Sequence, residues 1–75
     1  MSQPLPQVTA REIIRVLERR GFVLSRSSGS HRIYKDAQSR RVTVPYHGAK
    51  TLHPKVLKNI LNDAGMTVEE LVKEL

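Results

Sequence analysis

The stretch SSGSHRIYK, residues 27–35, places one histidine where small turn-forming residues give way to a basic, strand-like segment. Gly29 and Ser30 allow a tight turn and leave little side-chain bulk beside His31, so a large polyanion has room to approach the imidazole. An imidazole can give and take a proton near neutral pH, as general acid-base catalysis requires. The segment is therefore the first candidate for a catalytic corner.

Basic side chains lie close to this histidine in the sequence. Arg26, Arg32 and Lys35 could neutralise the charge of a phosphodiester held beside His31. Because RNA carries its own nucleophile, the ribose 2′-hydroxyl, such a cluster could cleave RNA without a metal ion or a protein nucleophile. The competing interpretation is a hydrogen-bonded histidine at a strand end, and the residues alone favour that plainer role.

No other pattern of reactive side chains competes with this corner. His31, His47 and His53 lie sixteen and six positions apart in a chain without cysteine, which is not the spacing of a metal site. His53 is explained by its position just before Pro54, and His47 is either a second proton carrier or, as we favour, a loop residue. There is no phosphate-cradling glycine loop and no nucleophile elbow. We expect neither a metal nor another cofactor.

The charge of the chain, +6 overall, is unevenly distributed. Residues 1–61 hold twelve basic and three acidic side chains, whereas residues 62–75 hold one basic and four acidic side chains. A body this basic attracts polyanions, of which nucleic acids are the commonest in cells, although many well-solvated surfaces carry a similar charge. No apolar run approaches the ~20 residues of a membrane span, and there is no secretory leader pattern or cysteine. We expect a cytoplasmic protein that does not enter membranes.

Two main helices are predicted from capping signals and apolar periodicity. Thr9 and Glu12 form a capping box ahead of an apolar stripe, and Gly21 supplies the stop. The second helix opens at Pro54, where a first helical turn tolerates proline, and ends at Gly65. The basic corner at His31 therefore lies between two amphipathic helices.

Three short strands are predicted between these helices. They cover residues 22–24, 31–35 and 41–44, with turns at residues 25–30 and 36–40, and Pro45 ends the last strand. Short loops between successive strands indicate an antiparallel meander.

The predicted fold class is α+β, with both main helices on one face of a three-stranded antiparallel sheet. The whole chain, residues 1–75, is expected to be one domain. Residues 1–8, with two prolines, should be a flexible tail, and residues 67–75 a short helical extension opened by a second capping box.

Strand alternation leaves the position of the histidine open. It places His31, Ile33 and Lys35 on one face of the sheet and Arg32 and Tyr34 on the other. If Ile33 faces the helices, His31 lies at the rim of the core face; if Tyr34 does, His31 opens onto the free face. The sequence does not choose between these arrangements.

The assembled motifs resemble a known family. They are Gly21-Phe22, the triplet Gly29-Ser30-His31 with Tyr34 three residues later, Val42-Thr43-Val44-Pro45 with His47 close behind, and Leu57-x-x-Ile60-Leu61-x-x-Ala64-Gly65. This ordered set, over roughly residues 10–66, is similar to the HicA-type toxins.

The resemblance implies more than the composition does. It implies a fold like that of double-stranded-RNA-binding domains and a metal-independent endoribonuclease that cleaves mRNA, an mRNA interferase, with His31 as its catalytic residue. Arg26, Arg32 and Lys35 would then contact the RNA backbone, with Gly29 and Ser30 lining the approach. The implied protein partner is a HicB-type antitoxin that blocks access of RNA.

Two other functions fit the same charge pattern. One is a non-catalytic RNA-binding module that reads the shape of A-form RNA through phosphate and 2′-hydroxyl contacts. The other is an interaction protein whose basic face serves only an acidic protein partner. Cleavage of RNA would distinguish the endoribonuclease from both of these alternatives.

Overall fold

Residues 4–47 and 49–75 are described in the computed structural model of the chain, and they contain three helices and one three-stranded sheet. The elements are α1 (Ala10–Arg19), β1 (Val23–Ser28), β2 (His31–Lys35), β3 (Arg41–Pro45), α2 (Pro54–Ala64) and α3 (Val68–Glu74). The strands are antiparallel, with β2 in the middle and β1 and β3 at the edges. The predicted α+β class and element order are confirmed.

Local hydrogen bonds explain both ends of α1. The Thr9 hydroxyl accepts from the backbone N–H of Glu12 (3.2 Å), and the Glu12 carboxylate accepts from the N–H of Thr9 (2.8 Å), which completes the predicted capping box. At the other end Gly21 takes a left-handed φ of +91°, so that the N–H of Phe22 reaches the carbonyl of Leu17 (3.0 Å). Phe22 is thereby drawn into the core instead of starting β1.

Strand β1 is longer than predicted. The sequence assigned residues 22–24 to the strand and residues 25–30 to a turn, but pairing with β2 continues to Ser28 and only two residues form the turn. An irregularity between Leu24 and Arg26 takes up one extra residue, as a β-bulge does, and restores the register beyond it. Polar residues fit this strand because it lies at the edge of the sheet with every residue exposed.

Helix α2 begins with a histidine cap. The Nδ1 atom of His53 accepts from the backbone N–H of Lys55 (3.1 Å), and Pro54 occupies the first helical position. The predicted role of His53, as a polar residue at the helix start, is therefore confirmed. The helix ends at Gly65, where the N–H of Met66 bonds to the carbonyl of Leu61 (2.9 Å).

Helix α3 completes the core from the C-terminal end of the chain. Its cap is the predicted box of Thr67 and Glu70, and Leu71 is completely buried. Arg20, at the end of α1, makes an ion pair with Glu74 (2.6 Å) and a longer one with Glu70 (3.5 Å). Apolar burial therefore fixes α3 in the core, and ion pairs join it to the end of α1.

The core lies between the helices and one face of the sheet. Tyr34, Val42 and Val44 supply the sheet side of this core and are at most 2% exposed. The segment predicted as a flexible tail, residues 1–8, begins with three residues outside the described part of the chain. Of the rest, Leu5 packs against the core, and Val8 is buried and accepts a backbone hydrogen bond from Leu52.

Among the helices that the structure describes, none has both the length and the apolar character needed to cross a lipid bilayer.

Candidate functional site

The candidate corner is a two-residue hairpin turn between β1 and β2. Gly29 has a φ of +57°, the left-handed region that a type II′ turn requires at its first central position. Ser28 and His31 pair across the base of the turn, so His31 is the first residue of the middle strand. Among the described residues, no atom outside its immediate neighbours lies within 4 Å of where a Cβ of Gly29 would sit, and His31 is exposed. The approach to the imidazole is open.

Burial of Tyr34 decides which face of the sheet carries the histidine. Tyr34 is 2% exposed, and its cross-strand partner Val42 is completely buried, so this pair faces the helices. Side chains alternate along a strand, which places His31, Ile33 and Lys35 on the opposite face. Of the two arrangements that the sequence left open, the structure has the one in which His31 opens onto the free face.

Nine side chains form this free surface, which we call the open face. The cross-strand pairs arrange them in three rows of three: Ser28, His31 and Pro45; Arg26, Ile33 and Thr43; and Val23, Lys35 and Arg41. Successive rows lie about 6.6 Å apart because a strand rises about 3.3 Å per residue. The open face therefore carries three permanent cations and one histidine, and none of its nine residues is acidic.

Pro45 fits beside His31 because β3 is an edge strand. Proline has no N–H to donate, but the pair of His31 and Pro45 does not need one, since the next N–H, that of Tyr46, donates to the carbonyl of Ser30. In such a pair the side chains stand close together. The imidazole is therefore flanked by a rigid proline ring on one side and the small side chain of Ser28 on the other.

The cations of the open face are not neutralised by ion pairs within the described residues. The ion pairs found there use Arg20, with Glu70 and Glu74, and Arg40, with Asp36. Arg26, Lys35 and Arg41 take part in none of them and are all exposed. Their positive charge is available to an anionic ligand.

Arg32 lies on the other side of the sheet from His31. Its cross-strand partner is the buried Val44, and its guanidinium carbon lies 3.9 Å from the ring centroid of Tyr46. The Nη2 atom of Arg11 donates to the phenol oxygen of Tyr46 at 3.4 Å. We call Arg11, Arg32 and Tyr46 the tyrosine cluster.

Electrostatics in the tyrosine cluster favour the ionised phenol. The hydrogen bond from Arg11 is the main cause that lowers the pKa of Tyr46, with smaller help from the positive charges of Arg11 and Arg32. The same hydrogen bond raises the pKa of Arg11. The ring thus joins the start of α1 to the end of the sheet at which His31 lies.

The predicted site residues fall into two groups in the structure. Arg26 and Lys35 share the open face with His31, and Gly29 and Ser30 form the turn beside it, whereas Arg32 is separated from them by the sheet. Sequence reasoning also missed one cation of the open face. Arg41 is the cross-strand partner of Lys35. The predicted turn at residues 36–40 already places these two residues opposite each other, so the length of that turn could have identified Arg41.

The other two histidines are not among the nine residues of the open face. His53 caps α2, and His47 is exposed in the segment that follows β3. Within residues 4–47 and 49–75, no three His, Cys, Asp or Glu side chains are grouped closely enough to hold a metal ion.

The fold and the open face define a class of small basic α+β domains in which one histidine shares a sheet face with cations that make no ion pair among the described residues. The family model for the HicA toxin of bacterial toxin-antitoxin systems matches residues 10–66, so the chain belongs to the HicA toxin family. The resemblance inferred from the motifs is confirmed, and the family implies an antitoxin partner. No curated protein matches the chain. Helix α3 begins after the last matched residue.

Proposed function

We propose that this chain is a metal-independent endoribonuclease that cleaves mRNA, with His31 as its acid-base catalyst. The observation that carries the proposal is the place of His31 on the open face, exposed and in the same surface as Arg26, Lys35 and Arg41. Membership of a toxin family supports a damaging activity of this kind.

The reaction needs one proton carrier and a positively charged surface. The ribose 2′-oxygen attacks the adjacent phosphorus, the bond from phosphorus to the 5′-oxygen breaks, and a 2′,3′-cyclic phosphate and a 5′-hydroxyl result. His31 either takes the proton from the 2′-hydroxyl or gives one to the departing 5′-oxygen, and solvent water carries the proton of the other transfer. Arg26, one row away, would neutralise charge near the reacting phosphate, while Lys35 and Arg41 hold the backbone farther along the strand.

We propose a HicB-type antitoxin as the protein partner, acting by covering the open face. The cations of this face make no ion pair within the described residues and none of its nine residues is acidic, so an acidic surface on the antitoxin would compete directly with RNA. Covering the three rows would hide His31 and the backbone contacts together.

The experiment is to incubate the wild-type chain and a His31→Ala variant with a single-stranded RNA in EDTA and to follow the fragments on a gel. Acid-base help of this kind contributes about 10²–10⁴-fold, so His31→Ala should slow cleavage by at least about 10²-fold. RNA binding, measured by fluorescence anisotropy, should be retained. His47→Ala is the matched control, because His47 is an exposed histidine outside the open face, and it should cleave like the wild type.

One observation favours a second function, a non-catalytic RNA-binding module. The open face holds only one histidine and no carboxylate, so a single group would have to serve the proton transfers. If the folded wild-type chain binds RNA but leaves it intact in EDTA, the ribonuclease proposal is wrong and the binding module stands. Equal loss of binding and cleavage in a folded His31→Ala variant would also count against a catalytic role.

A further inference from the structure

The tyrosine cluster presents an arginine side chain whose position is fixed in advance. Tyr46 is half-buried and packs against the core, and the guanidinium of Arg32 lies over its ring at 3.9 Å, well inside the ~6 Å range of a cation-π contact. Support from the ring restricts the rotamers of Arg32, so little side-chain entropy remains to be lost when a ligand binds. A guanidinium held in this way is more than a mobile surface charge.

The cluster lies directly across the rim of the sheet from the catalytic corner. Arg32 follows His31 in β2, and Tyr46 follows Pro45, the cross-strand partner of His31. The N–H of Tyr46 also donates to the carbonyl of Ser30 in the turn. A strand of RNA that leaves the open face at His31 therefore meets Arg32 next.

We propose that Arg32, supported by Tyr46, is a stacking platform for the unpaired base next to the scissile phosphate. This inference rests on the proposed ribonuclease function and changes the role of Arg32 from a phosphate contact to a base contact. The RNA then runs along the open face, crosses the rim at His31 and ends with one base on the guanidinium, with Arg11 nearby to neutralise a further phosphate.

The chemistry of the guanidinium fits an unpaired base. Its planar, weakly hydrated face stacks on aromatic rings, which lysine cannot do, and proteins that read single-stranded RNA use arginine planes in this way. A base inside a duplex is covered on both faces by its neighbours, so the platform selects single-stranded RNA. Arg32, on the helix-packed side of the sheet, thereby contributes to a site whose catalytic residue, His31, lies on the open face.

The test uses DNA oligonucleotides that contain a single ribonucleotide. Only the ribonucleotide has a 2′-hydroxyl, so cleavage can occur only at the phosphate on its 3′ side. That phosphate must therefore be the one bound beside His31. The scissile phosphate joins the ribonucleotide to its 3′ neighbour, and these two nucleotides are its flanks. In one substrate the ribonucleotide is replaced by an abasic ribose that keeps the 2′-hydroxyl, and in another the 3′ neighbour is abasic. The measured quantity is the ratio of kcat/KM with the base present to kcat/KM with the base absent.

For the wild type, one of the two flanks should give a ratio of about tenfold or more, the size of one base-stacking contact. Arg32→Lys keeps the charge but removes the plane, so its ratio at that flank should fall close to one. Tyr46→Leu, which removes the support under the guanidinium, should reduce the ratio as well and gives an independent second test. Arg41→Lys is the matched control: whatever its overall rate, its ratio should equal that of the wild type.

The outcomes separate this inference from the proposed function. If the wild type cleaves the substrates but both flanks give a ratio near one, or Arg32→Lys keeps the wild-type ratio, the platform is wrong and the ribonuclease stands. If the wild type cleaves no member of the series, both proposals are wrong. A purely structural contact between Arg32 and Tyr46 would change the melting temperature of Arg32→Lys and leave the ratio unchanged.

Discussion

At the scale of single residues, Arg32 and Arg41 are placed on opposite sides of the sheet by the pairing of β2 with β3. Arg32 is the nearest basic neighbour of His31 in the chain, yet strand alternation sends it to the helix-packed side, where it lies over Tyr46. Arg41 is ten residues away and shares the open face with His31. Cross-strand pairing, more than sequence distance, determines which cations can help the histidine.

The hydrogen bond between Arg11 and Tyr46 can be tested by titration. Because this bond and the nearby positive charges lower the pKa of Tyr46, Arg11→Met should raise that pKa toward the usual tyrosine value of about 10. The measurement is absorbance of the phenolate at 295 nm as a function of pH, made in a Tyr34→Phe background so that Tyr46 is the tyrosine observed. Arg15→Met, an exposed arginine one turn farther along α1, should leave the curve unchanged. Identical curves for Arg11→Met and the wild type would contradict the contact.

At the scale of the elements, one acidic residue of α3 has two structural roles. Glu70 is part of the capping box of α3, and it also lies 3.5 Å from Arg20 at the end of α1. The acidic excess at the end of the chain therefore has a structural use, because it joins the extension to the first helix. The buried Leu71 anchors α3 in the core.

Glu70 should make stability depend on pH in the acid range. Hydrogen bonds from the backbone and then the side chain of Thr67, with a smaller effect of Arg20, lower its pKa in the folded state. A carboxyl group of this kind stabilises the fold above its unfolded pKa, and the contribution is lost as the pH falls through the folded pKa. Glu70→Gln keeps a capping-box acceptor but cannot ionise. The melting temperature of the wild type should exceed that of Glu70→Gln at pH 7, and the difference should shrink below about pH 4.

The control for this prediction is Glu69→Gln. Glu69 precedes Glu70 in the same helical turn but is not the capping residue, so its variant should follow the wild-type profile of melting temperature against pH. A difference between wild type and Glu70→Gln that stays constant from pH 7 to pH 3 would show that ionisation of Glu70 does not stabilise the fold.

At the scale of the whole molecule, positive charge is divided between structural and available groups. Arg20 makes ion pairs with Glu70 and Glu74 of α3, and Arg40 makes one with Asp36 in the turn between β2 and β3, whereas the three cations of the open face make none in the described part of the chain. Both main helices cover the opposite face of the sheet, so the open face is the broad surface left for a polyanion. The architecture thus separates the cations that are used in ion pairs from those whose charge is available to an anionic ligand.

Salt dependence of RNA binding tests this division. For single-stranded nucleic acid, each neutralised phosphate contributes about 0.7 to the slope of log affinity against log salt concentration. Replacement of Arg26, Lys35 and Arg41 by glutamine should therefore reduce the slope by about 2 if each contacts one phosphate. Lys58→Gln removes an exposed cation from α2, behind the sheet, and should keep the wild-type slope. Equal slopes for the triple variant and Lys58→Gln would show that RNA binds elsewhere.

The sequence by itself determined the features that depend on neighbouring residues. Capping boxes at Thr9 and Thr67 and the turn at Gly29 could be predicted because each is satisfied by backbone groups within a few positions. The catalytic candidate could be named for the same reason, since its neighbours in the chain leave it accessible. The end of β1 was predicted wrongly because its polar residues are held by pairing with β2, which local composition does not reveal.

Only the tertiary structure decided which side of the sheet carries the histidine. Alternation in β2 shows that His31 and Tyr34 lie on opposite faces of the sheet. The sequence pattern allows the helices to cover either of these two faces. The choice depends on which side chain the helices cover, and Tyr34 packs into the core with Val42 and Val44. The helices that cover Tyr34 are distant from it in the sequence, and apolar burial drives this contact. Because the helices cover only that face of the sheet, His31 and the cations beside it lie on the face that is exposed to solvent.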